Sequence, residues 1–489
     1  MHRRDRVCRV AIALGVVAAL APAAAAHAAV PLTQVLVDPF TNATSQHQTA
    51  VEPDTFAFGN TIVSVSQVGR FFDGGSSGTG FATSKDGGAS WTHGALPGLT
   101  VHQSPSGPYA RATDPVIAYD AAHGVWLAQS LVLDNSPSGV GIVVNRSTDG
   151  VAWDAPIDLS AEASGNQDFD KNWIACDNHT GSPFYGRCYQ TWDDFGNGNR
   201  ILNNFSTDGG LTWSTPAPTA NNATGLGGQP VVQPNGTVIV PAANAFETAI
   251  IAFRSNNGGA TWSNAVTVTS TPTHDVAGNL RSGPLPSAEI DSAGRVYVVW
   301  QDCRFRKGCK SNDIVMSTST DGASWSSVAR VPIDGVNSSA DHFIPGIGVE
   351  PTSAGHLALT YYFYRQARCG SHRTPCQLEV GHVQSADGGA TWSNPTDVAG
   401  PFPVTWAADS SQGRMVGDYI STSWLGGRAW SAIAVAGAPS GSVFDEDLYV
   451  PTSGLAAASG GFVNSSSGEH AVADAASDHA SPRSAIRRR

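Results

Sequence analysis

The sequence predicts an all-β repeat protein, a β-propeller, and three observations carry that expectation. A short Asx–glycine–tryptophan element recurs along the 489 residues, as SKDGGASW (84–91), STDGVAW (147–153), STDGGLTW (206–213), SNNGGATW (255–262), STDGASW (319–325) and SADGGATW (385–392). Its Asx positions, from Asp86 to Asp387, lie 49 to 66 residues apart, room for a four-stranded sheet with its loops. Upstream of each element comes a strand–turn–strand pattern, as in DPVIAYDAAHGVWLAQS (114–130) and PSAEIDSAGRVYVVWQD (286–302), where β-branched and aromatic runs flank a turn. Glycine (53) and proline (29) are abundant and charged residues are only 14%, the composition of short strands and tight turns. No stretch keeps a 3.6-residue period over three turns.

Taken in chain order, Arg3, Arg4, Arg6 and Arg9 precede an apolar run from Val10 to Ala26, and Ala26-His27-Ala28 offers a small-x-small cleavage site. Residues 1–28 therefore read as a secretory signal peptide, too short and wrongly flanked for a stable span. The protein is expected to be secreted, with no membrane span. Losing Arg3, Arg4, Arg6, Arg9 and Asp5 takes the formal charge from −12 to −15, which argues against nucleic acid as a partner.

Residues 29–452 are expected to form the propeller. Seven units begin near Val51, Thr113, Lys171, Gln229, Pro286, Phe343 and Arg414; six turn elements alone leave six as the alternative count. The last unit, around 415–437, has strands but no turn element, and a strand at Gln34–Val37 is positioned to complete it and close the ring. The turn element itself is structural: Asx side chains accept backbone N–H groups, glycine takes positive φ, and the tryptophan packs between sheets. Six cysteines outside the signal fall into local pairs, Cys176 with Cys188, Cys303 with Cys309 and Cys369 with Cys376, although six allow 15 connectivities. Neither CxxC nor HExxH is present, so no metal and no cofactor are expected. Residues 453–489, rich in Ser, Ala and Gly, read as a disordered tail.

The turn elements resemble the Asp boxes of the sialidase superfamily, also called BNR-repeat proteins. From about 50 to 437 the chain looks like secreted bacterial sialidase-like propellers, which share Pro after an acidic residue (Glu52-Pro53, Asp114-Pro115), a W-x-D-x-R segment (Trp300 to Arg304) and a late G-D-Y (Gly417-Asp418-Tyr419). The resemblance implies a glycan or glycoconjugate partner. A sialidase has three carboxylate-clamping arginines, an Asp acid/base and a Tyr nucleophile paired with Glu. Here the early arginine lies in Gly69-Arg70-Phe71-Phe72, without the family's Ile-Pro, and no Glu partner for Tyr419 stands out.

Chemistry in such a ring belongs where inner strands converge on the axis. Asp114, Asp418 and Tyr419 are the candidate catalytic residues. Glu52, Arg70, Asp170, Lys171, Asp302, Arg304 and Arg365 are the candidate substrate-binding residues, because guanidinium forks match a carboxylate and glycoside hydrolysis needs paired acidic groups or a tyrosine substitute. Trp192, Trp300, Tyr361, Trp406 and Trp424 could stack on sugars, though at strand spacing most belong to the core. The leading expectation is a secreted, monomeric, sialidase-like glycoside hydrolase acting on a terminal acidic sugar. The alternatives are a non-catalytic carbohydrate- or protein-binding propeller and a polysaccharide lyase.

Overall fold

The computed structural model describes residues 30–465 except His372 and Ser459; the expected signal segment and residues 466–489 lie outside the described residues. Within them the regular elements are strands, apart from two single-turn 3-10 helices, Phe195–Asn197 and Val404–Trp406. Nearly all the strands pair antiparallel, and along the chain they follow one another in groups of about four, called units. The first comprises Gln46–Phe58, Thr61–Arg70, Ser76–Ser84 and Thr92–Ala95. The second comprises Arg111–Asp120, Val125–Leu133, Gly139–Ser147 and Leu159–Glu162. The third comprises Phe169–Cys176, Cys188–Asp194, Arg200–Ser206 and Ala217–Pro218.

In the fourth unit the innermost strand is broken into Gly225–Leu226 and Val231–Val232, both paired to Val238–Asn244, and Ala249–Ser255 and Val266–Ser270 follow. The fifth comprises Ser287–Ile290, Val296–Asp302, Asp313–Ser319 and Ala329–Arg330. The sixth comprises Asp341–Val349, Leu357–Tyr364, Gln377–Ser385 and Thr396–Pro403. The seventh comprises Ser421–Leu425, Arg428–Ala436 and Glu446–Pro451, with the N-terminal strand Leu32–Leu36 as its fourth member. This last sheet starts at Ser421 rather than near Arg414, because Gly417 and Asp418 turn inward ahead of it.

Each unit's first strand contacts the first strand of the next, and that of the seventh contacts that of the first. The apolar clusters lie between units rather than within them. Tyr297 and Val299 of the fifth pack with Ile347 and Leu359 of the sixth, and Tyr362 and Val380 of the sixth pack with Trp424 and Ile433 of the seventh. Sheets stacked in this way bury both faces, which explains why their strands are apolar at successive positions instead of alternating.

The Asx–glycine–tryptophan turns join units. Ser90 N donates to Asp86 Oδ1 (2.9 Å) and Gly88 N to Ser84 Oγ (2.8 Å); Asp208, Asn257 and Asp387 repeat the geometry. Each turn's glycine then presses on the preceding unit. A β-carbon at Gly88, where φ is +90°, would lie 1.9 Å from the Trp430 ring of the seventh unit, so both conformation and contact require glycine there. Gly150 meets Val63, Gly210 meets Leu127, Gly259 meets Tyr189, Gly322 meets Ile239 and Gly389 meets Met316.

The seventh unit lacks this turn, and C-terminal residues take its place against the sixth. Val463–Asn464 pairs with Thr391–Trp392, Ala458 N donates to Gln384 Oε1 (2.9 Å) and Ser465 N donates to Ala390 O (2.9 Å). Within the segment expected to be a disordered tail, Leu455–Ala456 and Val463–Asn464 are thus short strands, the first paired with Arg428–Ala429 of the seventh unit and the second with the sixth. The three local disulfides are present as the spacing suggested.

Candidate functional site

The axis is furnished by a repeated backbone irregularity. The first strands of the first, second, third and sixth units each carry a register shift, between Val51 and Asp54, Thr113 and Val116, Asp170 and Trp173, and Phe343 and Pro345. At each shift one non-glycine residue has positive φ: Glu52 (57°), Asp114 (45°), Lys171 (48°) and Ile344 (49°). Bulges re-aim side chains, and left-handed conformations persist in non-glycine residues only where surrounding contacts hold them. At three of the four shifts here, the re-aimed side chain joins one buried ionic cluster.

Lys171 is its hub. Its Nζ lies 2.9 Å from Asp114 Oδ1, 2.7 Å from Asp418 Oδ2 and 3.8 Å from Glu52 Oε1. Asp418 is gripped from its other side by Arg281, whose Nε donates to Oδ1 at 2.7 Å and whose terminal nitrogen also contacts Oδ2. Gln67 donates from Nε2 to Glu52 Oε2 and to Thr113 Oγ1 (2.7 Å), and accepts at Oε1 from Arg70 (2.8 Å). Glu52 also accepts the Asp418 backbone N–H (3.2 Å). These side chains are buried, so cation and carboxylate depend on one another for charge balance.

Burial opposes the Lys171 ammonium, but Asp114, Asp418, Glu52 and Asp170 outweigh it and hold its pKa well above the ordinary value. Burial works against Arg281 as well, and Asp418 above all holds its pKa above the ordinary value. Burial, then the charge of Arg281, brings Arg70 down to about 10. Glu52 is pushed up to about 7 by burial and then by Asp114, and burial does the same to Asp170. Asp193, the strand partner of Asp170, is raised well above the carboxylate range by burial and by Asp170.

Tyr419 adjoins this cluster without entering its hydrogen bonding. Its hydroxyl donates to Pro115 O (3.0 Å), and its ring meets Trp173 edge-on at 5.1 Å. Burial, then Glu52, Asp114, Asp54 and Asp418, raises its pKa well above the ordinary value. The recess that touches Lys171, Trp173, Gln229 and Tyr419 holds about 10 Å³, the space of a single water.

Of the ten residues singled out from sequence, the fold brings Glu52, Arg70, Asp114, Asp170, Lys171 and Asp418 together, with Tyr419 beside them. Arg304 and Asp302 are engaged elsewhere: Arg304 Nε donates to Asp302 Oδ1 (3.0 Å) and NH1 to Thr269 Oγ1 (3.1 Å), while Trp300 Nε1 donates to Asp302 Oδ2 (3.2 Å). The W-x-D-x-R segment is therefore a loop brace, held to itself and to Thr269 and Ser270 of the fourth unit. Arg365 is 60% exposed and pairs with Glu379 and Asp397, each at 2.7 Å. An arginine triad of Arg70, Arg304 and Arg365 is thus not assembled. Of the candidate stacking rings, Trp192, Trp300, Tyr361 and Trp424 are core residues.

Sequence reasoning missed Arg281 and Gln67. Arg281 sits in the connection between the fourth and fifth units, fixed where Arg281 N donates to Arg414 O (2.7 Å). Its only signal was a basic residue just ahead of Gly283-Pro284-Leu285-Pro286, where an inner strand opens. A separate cluster, Asp313, Asp334 and His342, brings three donor atoms within 4.8 Å of one another. Arg306 and Arg330 already contact both carboxylates, at 2.5 to 2.8 Å. Two guanidinium groups balance two carboxylates there, a donor set unsuited to a metal ion.

Residues 140–348 match the family described as BNR repeat-like domain, so the resemblance carried by the turn elements holds for that stretch. No curated protein matches the chain. Among solved structures, a protein of unknown function from Dyadobacter fermentans is 18% identical, with 73% of this chain and 99% of that one covered and a TM-score of 0.45. A PL25 ulvan lyase is 12% identical, covering 86% and 95%, at 0.46. A Hadza microbial sialidase is 12% identical, covering 83% and 66%, at 0.39.

Proposed function

We propose that this chain is an exported, monomeric, seven-bladed propeller that binds glycans and does not cleave them by sialidase chemistry. The cyclic contacts of the seven first strands, the N-terminal strand on the seventh unit and the BNR repeat-like stretch support the propeller. The signal-like N-terminus and the three disulfides support export. The superfamily resemblance supports a glycan partner.

One observation carries the absence of sialidase turnover: the constellation that should receive an acidic sugar is occupied by itself. Lys171 and Arg281 spend their charge on Asp114, Asp418 and Glu52, and Arg70, which donates to Gln67, is fully buried, so no exposed clamp meets a substrate carboxylate. A tyrosine nucleophile needs a base or cationic surroundings, whereas the Tyr419 hydroxyl faces a backbone carbonyl and feels mainly carboxylates. The mature protein is tested against fluorogenic sialosides and uronides and on a printed glycan array. Binding without turnover is expected. Hydrolysis that disappears in Tyr419→Phe would sink this reading, as would new ultraviolet absorbance from an unsaturated lyase product.

A second reading is favoured by Glu52 and Asp170, whose carboxyls near 7 suit a general acid. A hydrolase in which the axial cluster parts to admit substrate would show turnover falling above about pH 7 and vanishing in Glu52→Gln.

A further inference from the structure

A larger cavity lies away from the axis, where the outer part of the second unit meets the turn element of the third. It holds about 390 Å³ and is lined by Arg146, Asp154, Ile157, Asp158, Leu211 and Trp213 among others, within the range of small-ligand sites. Ile157 (63%) and Leu211 (44%) rank among the most exposed large apolar residues of the described chain. Trp213 is half-buried, packed from beneath against the core between the second and third units.

Three charged side chains here keep positions that no protein group fills. Arg146 Nε donates to Gly209 O (2.7 Å) and so fixes the guanidinium, whose terminal nitrogens form no hydrogen bond or ion pair among the described residues. The carboxylates of Asp154 and Asp158 form none either. Trp153 Nε1 donates to Gly150 O (3.0 Å) and Trp392 Nε1 to Gly389 O (3.1 Å), whereas the Trp213 indole N–H, like those of Trp91, Trp262 and Trp325, has no acceptor among the described residues. A fixed donor fork, two open carboxylates and an indole side chain thus line one groove.

We propose that this groove is a saccharide-binding site and that its ligand is neutral; the inference rests on the glycan reading above and deepens it. Carboxylates accept from the hydroxyls of a sugar and a guanidinium donates to its oxygens. An indole supplies large apolar area and a polar N–H in one side chain. Two carboxylates against one arginine leave the groove negative, which disfavours a uronate or sialate by like-charge repulsion.

The experiment measures binding of neutral gluco-, galacto-, manno- and xylo-oligosaccharides of about four to six units, with oligouronates as the acidic comparison, by titration calorimetry. Asp154→Ala and Asp158→Ala alter exposed side chains with no protein partners, so folding is not at stake; Arg146→Ala and Trp213→Ala are checked by their melting curves. Tight binding of one neutral series, weakened at least about tenfold by each aspartate substitution, supports the proposal. Binding unchanged by both aspartate substitutions overturns the groove while leaving the glycan reading intact. A preference for oligouronates overturns the neutral ligand. A blank array and blank titrations remove the glycan reading, and the groove with it.

Discussion

At the scale of single residues, burial decides what an ion pair is worth. Lys171 touches Asp114, Asp418 and Glu52 inside the protein, so Lys171→Met leaves Asp114 without its cation and Asp418 with Arg281 alone, in a medium that cannot solvate them. The expected cost is about 3–5 kcal/mol, measured by denaturant unfolding. Arg365 makes two contacts of equal length but is 60% exposed, so Arg365→Ala should cost about 1 kcal/mol or less. Equal losses from the two substitutions would refute this ranking. Asp54 gives a pH test. Burial pushes its carboxyl up to about 7, although Ile117 N donates to it (2.8 Å). A group raised on folding contributes its full stabilisation below its unfolded value and loses it as pH climbs through the folded value. The Asp54→Asn variant keeps the acceptor and removes the titration. Its stability relative to the parent should therefore improve by up to a few kcal/mol between about pH 4 and pH 7. Parallel pH profiles would show that Asp54 does not titrate in that window.

At the scale of elements, what the sequence revealed depends on whether the cause is local. The Asx–glycine–tryptophan turns were legible because their hydrogen bonds, such as Ser90 N to Asp86 Oδ1, span only a few residues. So were the strands at Pro53 and Pro115 and the three short disulfide loops. The bulges were half legible: an acidic residue before proline marked Glu52 and Asp114 as unusual, but only the register shift aims them at Lys171. Arg281 was hidden because it reaches Asp418 from a loop 137 positions away. The sequence cues for Arg304 and Arg365 were real, but each arginine lies just past a strand end, beside a carboxylate that claims it, Asp302 in one case and Glu379 in the other. A motif names the residue; the nearest buried opposite charge decides its partner. Leu455–Ala456 and Val463–Asn464 gave no periodic signal for a related reason, since their partners, Arg428–Ala429 and Thr391–Trp392, lie far off in sequence.

At the scale of the whole molecule, the ring is most vulnerable at the seventh unit. Every other junction has a glycine turn seated on the preceding sheet, but here two chain ends substitute for it. Leu32–Leu36 supplies the fourth strand, and residues 455–465 bridge to the turn around Asp387. The two ends do different physical work. Without Leu32–Leu36, the strand Glu446–Pro451 becomes an open edge, which invites pairing with another chain. Without the C-terminal bridge only the two-residue pairing of Leu455–Ala456 with Ala429 and Arg428 is undone, while Leu455 burial worth about 2 kcal/mol is lost, together with the bonds of Ala458 and Ser465. Removing residues 30–37 should therefore cause concentration-dependent association. Ending the chain at Thr452 instead of Ser465 should lower the melting temperature and speed hydrogen exchange in 421–451 while the protein stays monomeric. Light scattering and exchange mass spectrometry on the two deletions separate these outcomes. If the C-terminal truncation leaves exchange in 421–451 unchanged, the axial grip of Lys171 and Arg281 on Asp418 is what holds the last unit in the ring.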